Sequence, residues 1–344
     1  MEYKGIYSIF DSKRIQTYPI SKRTNKVKLE DLIQLEEVLL ADYNLSLSEK
    51  DSIDEIASTI VRYRKQGKPI IIFSGAHLVK NGLGPIIIDL IKRNMITLFA
   101  GNGATAIHDF ELALIGETSE YVPNALEKGE FGMAYEFAYI NAALNNGNKL
   151  KLGYGESLGR MIADNEFCCK IQEEEKLLGP SIRFLHPELS ILNACYITKT
   201  PCTIHAGIGT DVIDQHPSFN GCVKGGCSGR DFLIYTNEIE KFNKGGVVLN
   251  IGSAVTGPEI LLKAVSMVKN SGTSPEGIVT GDFDLRPFDP KKRNNESDAG
   301  YYFRDQKSLV LRIPGAFDGK GYYVQENQLN TIPYLYKKII ENLD

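Results

Sequence analysis

The chain lacks most of the short signatures that would name a chemistry outright. There is no G-x-x-x-x-G-K-[ST] loop, no H-E-x-x-H pair and no G-x-S-x-G elbow, so Walker-type phosphate binding, zincin chemistry and an α/β-hydrolase serine have no sequence support. No apolar run approaches the roughly 20 residues a membrane helix needs, and the opening "MEYKGIYSIFDSKR" carries no apolar stretch before a cleavage site. Six cysteines in 344 residues make no disulfide scaffold, and Cys222 and Cys227 in "CVKGGC" have no partner pair at zinc-ribbon spacing. Basic runs are scarce too. The net charge is −4, and "KKRNN" at 291–295 reads as a solvated loop, which argues against a nucleic-acid partner. These absences predict a cytoplasmic protein with reduced thiols, no membrane contact and no metal.

What is present is an alternation of apolar periods. Residues 1–30 are polar and irregular and read as an N-terminal arm; 31–344 read as a single α/β domain. "KLEDLIQLEEVLLADY" and "SIDEIASTIVRYRKQG" have helical spacing, and "KPIIIFSG" is the continuous apolar run of a strand buried on both faces. "LGPIIIDLIKRN" then reads as helix, "MITLFAG" as strand and "ATAIHDFELALIG" as helix. The helices "EFGMAYEFAYINAALNNG", "GESLGRMIADN" and "PELSILNACYITK" precede strand "TPCTIHAG". A third round runs through "RDFLIYTNEIEKF", "GGVVLNIG", "PEILLKAVSMVKNSG" and "GIVTGDF". Strands separated by helices predict a parallel-sheet, Rossmann-like fold with helices on both faces.

In such a sheet the ligand crevice lies beyond the carboxyl ends of the strands. Four turns rich in small residues fall there: 73–84, 100–109, 204–216 and 250–259. Small residues let a ligand approach the backbone, and helix N-termini offer unpaired N–H groups to phosphate. None of the four matches G-x-G-x-x-G in its usual setting; "GNGATA" comes nearest. Of five histidines, His77, His108, His205 and His216 lie in these turns, where an imidazole can take or give a proton at neutral pH. His108 precedes Asp109, and His205 is followed by Asp211 and Asp214, so His108 or His205 is the expected base, with Asp109 and Asp211 as orienting or amine-holding carboxylates. His186 looks structural. The rival readings are helix caps and satisfied core histidines, a metal on His205, Asp211 and His216, or a nucleophilic Cys222 or Cys227. "VTGDFDLRPFD" gathers Asp282, Asp284, Arg286 and Asp289 at a strand exit, either as solvated loop or as a clamp for an amine, carboxylate or phosphate.

The order of these motifs resembles the deoxyhypusine synthase family and its bacterial relatives over roughly residues 70–340. The stretch "IIIFSGAHLVKNGLGPIIIDLIKRNMITLFAGNGATAIHDFELALIGE", with "TPCTIHAGIGTDVID" and "GGVVLNIGSAVTGPEILLKAVSMVKN", carries the likeness. The resemblance implies an NAD-binding fold, a homotetramer with shared sites, and amine chemistry. It places Ala76, His77 and Lys80 on a first NAD turn, and Ala100 and Gly101, with Asn102 and Gly103, on a second. Gly252 with Ser253, and Thr280 with Gly281, fall on later contacts; His108 replaces an acidic residue, and Asp211 falls on an amine-binding aspartate. The family's lysine segment is absent. The chain has no tryptophan, Lys291 and Lys292 sit in a charged loop, and Gly257 and Pro258 stand near the family's histidine. An exposed lysine keeps a pKa near 10 and is a poor imine former. The expectation is therefore a deoxyhypusine synthase-like, NAD-dependent transferase or oxidoreductase acting on a small polar substrate, with aminobutyl transfer lost. The alternatives are a nicotinamide-independent hydrolase or lyase using the His/Asp rim, and a non-catalytic ligand-binding protein.

Overall fold

In the computed structural model, residues 3–174 and 179–343 are described. Two short strands, Asn25–Val27 (β1) and Thr118–Glu120 (β4), pair antiparallel. Six others form one parallel sheet: Ile70–Ser74 (β2), Leu98–Asn102 (β3), Cys202–His205 (β5), Gly246–Ile251 (β6), Ile278–Asp284 (β7) and Lys320–Gln325 (β8). Their order across the sheet is β5-β3-β2-β6-β7-β8, every neighbouring pair parallel. Counted by appearance this is 3-2-1-4-5-6, the doubly wound order, and it reverses between β2 and β6.

The longer helices are Leu47–Lys65 (α1), Gly84–Lys92 (α2), Gly103–Ile115 (α3), Phe137–Lys149 (α4), Tyr154–Ala163 (α5) and Asn165–Glu174 (α6). They continue with Ile191–Thr198 (α7), Gly221–Glu240 (α8), Thr256–Asn270 (α9) and Gln328–Glu341 (α10). β2 shows why its sequence is apolar throughout. Ile70 and Ile72 enter one core with α1, α2 and α10, while Ile71 and Phe73 enter the other, against Tyr235 and Ile239 of α8 and Leu261 and Val265 of α9. Successive side chains of a strand point to opposite faces, and both faces here are roofed by helices.

Helix boundaries follow local chemistry. Ser46 and Glu49 cap α1 reciprocally, Asn102 accepts from Thr105 N to cap α3, and Gly116 closes α3 at φ 72. Two expectations change. The helical spacing at 28–43 resolves into a 3-10 turn at Leu29–Asp31 and a short helix at Leu35–Leu40. The segment holding the candidate nucleophiles Cys222 and Cys227, which its glycines would suggest is a loop, is the first part of α8, a helix whose buried residues include Lys224, Cys227 and Asp231. The arm folds back on its own chain, through β1 on β4 and through Tyr18, whose hydroxyl donates to Glu120 at 2.9 Å. "KKRNN" is also not wholly solvated, because Arg293 is buried and its Nε donates to Gln306. Among the described residues no helix is long and apolar enough to cross a membrane.

Candidate functional site

The turns after β2 and β6 interlock where the strand order reverses. Gly75 N donates to Ile251 O at 2.9 Å, and a Cβ at Gly75 would fall 2.2 Å from Gly252 O. Gly252 itself sits at φ +64, in the left-handed region that favours glycine. A cavity of about 490 Å³ opens over this point, lined by His77, Gly252, Ala254, Asp284, Arg286 and Gln328. The first turns of a short helix (His77–Lys80) and of α10 border it, as does the approach to α9. Asp284 and Asp305 both pair with Arg286, and Asp284 is held below the usual carboxylate range because its bonds to Arg286 outweigh the upward push of burial.

A second cavity, of about 260 Å³, has Lys80 of the same short helix in its lining. Arg23, Lys80, His108, Glu111, Glu120 and Asp211 line it. His108 projects from α3, and its Nδ1 is 2.7 Å from Thr118 Oγ1. Thr118 Oγ1 in turn donates to Glu111 Oε2 at 2.5 Å, and Arg23 holds Glu111 Oε1 at 2.7 Å. A carboxylate only accepts, and a threonine has one proton to give. Thr118 therefore accepts from His108, which puts an imidazole proton on Nδ1, so that in the neutral ring the lone pair lies on Nε2. Burial pushes the Glu111 carboxyl up, but the nearby His108, whose Nδ1 lies 3.4 Å from Oε2, and the charge of Arg23 outweigh it and hold the group down at about 2.

Asp211 stands against the start of α3, where a Cβ on Gly103 would meet its Oδ2 at 2.0 Å. Its charge is answered from below. Lys224 Nζ bonds Asp211 Oδ2 at 2.7 Å, Asp214 Oδ1 at 2.6 Å and Gly207 O at 2.8 Å. The expected amine-holding Asp211 thus already has a buried lysine as its partner. Sequence reasoning missed Lys224 because glycines surround it.

The remaining expected site residues have other surroundings. Asp109 is buried and caps α7, accepting from Ser190 Oγ at 2.5 Å and Ile191 N at 2.7 Å; burial pushes it up to about 6. His205 is stacked on Phe73 at 5.6 Å and edge-on to Tyr235 at 5.4 Å, and burial pushes it down to about 3. His216 is buried, accepts from Ser218 N at 3.1 Å and is pushed down to about 4 by burial. Asp109, His205 and His216, the other expected catalytic residues, are not among the residues lining these two cavities. Ala100, Gly101, Thr280 and Gly281 lie inside β3 and β7 and are buried, with Thr280 Oγ1 donating to Leu309 O. Asn102 is spent as the α3 cap, and Ser253 Oγ accepts from Gly257 N at 3.0 Å. Ala76 precedes the short helix, half-buried. Asp282 is buried in β7 and accepts from Asn250 Nδ2 at 2.8 Å. Among the described residues no group of three or more His, Cys, Asp or Glu is arranged to hold a metal.

No family model matches the chain. A 66-residue segment is 42% identical to an ornithine cyclodeaminase of Methanothermobacter thermautotrophicus, covering 19% of this chain and 16% of that protein. Among solved structures, the arginine dihydrolase ArgZ from the cyanobacterial ornithine–ammonia cycle aligns over 86% of this chain and 32% of its own, at TM-score 0.48 and 14% identity. A putative LOR/SDH protein of Methanococcus maripaludis S2 aligns over 88% of this chain and 73% of its own, at TM-score 0.47 and 15% identity. AgrE, solved with ornithine and NAD+, aligns over 88% and 34%, at TM-score 0.44 and 11% identity. These findings overturn the deoxyhypusine synthase resemblance and the transferase reading that came with it, since the matching sequence segment is that of an ornithine cyclodeaminase. The resemblance rested on small-residue turns after parallel strands, which doubly wound sheets share for geometric reasons.

Proposed function

We propose that the chain is an NAD-dependent enzyme acting on a small amino acid of the ornithine type. The segment matched to ornithine cyclodeaminase supports the substrate class. The cofactor reading rests on the crevice at the reversal of strand order, where dinucleotides bind in sheets of this order. Its residues fit such a group. Gly252 lines the cavity at φ +64, where an L side chain is strained, so this turn depends on glycine. The starts of α9 and α10 are suited to pyrophosphate, while Arg286 is already answered by Asp284 and Asp305. His77, Gly252 and Gln328 would hold the cofactor, with the Ala76 turn beside them.

NAD, when bound, supplies a hydride acceptor. The chain supplies the base. The Nε2 lone pair of His108 would accept an N–H proton of the substrate amine. The imidazolium so formed keeps its Nδ1–H bond to Thr118, and the anionic Glu111 behind it stabilises the charge. That proton chain is the observation that carries the reading.

Calorimetry should detect NAD binding, and ornithine should raise absorbance at the reduced-nicotinamide band. H108Q should keep NAD affinity and lose turnover. Absence of NAD binding, or full turnover in H108Q, overturns the reading.

A further inference from the structure

We infer that Lys80 binds the substrate's carboxylate and so restricts the site to α-amino acids; the inference rests on the reading above and deepens it. It comes from asking which charges of the 260 Å³ cavity are already answered by the protein. Arg23 is met by Glu111 at 2.7 Å and Glu120 at 3.8 Å. Asp211 is met by Lys224 at 2.7 Å. Glu120 also accepts from Tyr18 Oη at 2.9 Å and from Gly132 N at 3.0 Å. Lys80 lines the same cavity, half-buried, and its ammonium has neither a hydrogen-bond nor an ion-pair partner among the described residues. A cation held at a cavity wall without a protein anion is a place for a ligand's anion.

The anionic side chains of the same lining show the complementary imbalance. Glu111 and Glu120 share one cation, Arg23, and Asp211 and Asp214 share one cation, Lys224. Two carboxylates to each cation leave negative excess beside the cavity, which favours a ligand ammonium. His108, in the same lining, offers a lone pair to an N–H. A carboxylate, an adjacent amine and a distal cation in one small molecule describe a dibasic α-amino acid. The diamine of the same length without its carboxylate, 1,4-diaminobutane, would forfeit Lys80 while keeping the other two interactions.

The test is calorimetry on the NAD-saturated full chain with L-ornithine and with 1,4-diaminobutane. Wild type should bind ornithine roughly tenfold or more tightly than the diamine, the worth of a charge-assisted contact. K80M should lose that margin, weakening ornithine roughly 10–100-fold while leaving diamine and NAD affinities unchanged. K80R should recover part of it, and in steady-state assays K80M should raise KM for ornithine with kcat held. Unchanged melting temperatures exclude misfolding, and K80Q serves if K80M unfolds. Wild-type ornithine affinity in K80M, or an equal loss for the diamine, overturns the Lys80 assignment while the amino-acid reading stands. A wild-type protein that binds NAD but no amino acid overturns both.

Discussion

Lys224 and Asp211 form an ion pair out of reach of solvent: Nζ lies 2.7 Å from Oδ2, with the side chains 1% and 8% exposed. The pair ties α8 to the loop past β5 and holds that loop against the start of α3. Removing the cation strands two buried carboxylates, because Asp214 shares the same ammonium. K224M should therefore lower unfolding free energy by about 3–5 kcal/mol, read from urea denaturation. A loss under about 1 kcal/mol would mean that the loop reorganises to hydrate both carboxylates.

Thr118 is the link between His108 and Glu111. T118V keeps the shape of the side chain and removes the hydroxyl, so the imidazole loses the partner that fixes its tautomer. Turnover in T118V should fall roughly 10–100-fold with NAD affinity unchanged. Wild-type kcat in this variant would show that the proton chain is idle.

His205 gives a stability signature in acid. Its folded pKa is pushed down to about 3 by burial, below the ordinary 6.5, so the unfolded chain binds the extra proton first. The stability tied to a neutral His205 is whole above about pH 6.5 and is lost as pH falls towards 3. At pH 5 the loss is about 2 kcal/mol. H205F, which keeps a ring between Phe73 and Tyr235, should flatten the decline of melting temperature between pH 6.5 and 4. A parallel decline in both proteins would assign the acid sensitivity elsewhere.

G75A tests the interlocked turns. The new Cβ would lie 2.2 Å from the Gly252 carbonyl oxygen, and backbone cannot swing aside as a side chain can. The variant should lose about 1–3 kcal/mol and bind NAD more weakly, both measurable by melting with and without cofactor. An unchanged melting temperature would show that the two turns separate at little cost.

Much of the sheet was legible, because "IIIFS" and "GVVLNI" have no polar face to offer water. The site was less so. His108 stood out beside its turn, but the eye pairs it with Asp109, its sequence neighbour. On a helix the neighbour points about 100° away, and the residue three on shares the face. Glu111 is that residue, while Asp109 turns inward to cap α7. Thr118 and Arg23 reach the site only through β4 and the folded arm, so no local pattern marks them. Lys224 hides among glycines that look like loop, and His205 ends a strand whose positions are all buried.

Arg23 belongs to the first thirty residues yet clamps a carboxylate two hydrogen bonds behind the imidazole. A protein shortened at its N-terminus could keep its sheet and its melting transition while its histidine fell silent. Tags, fusions or proteolytic nicks before β1 thus bear directly on whether a purified sample is active.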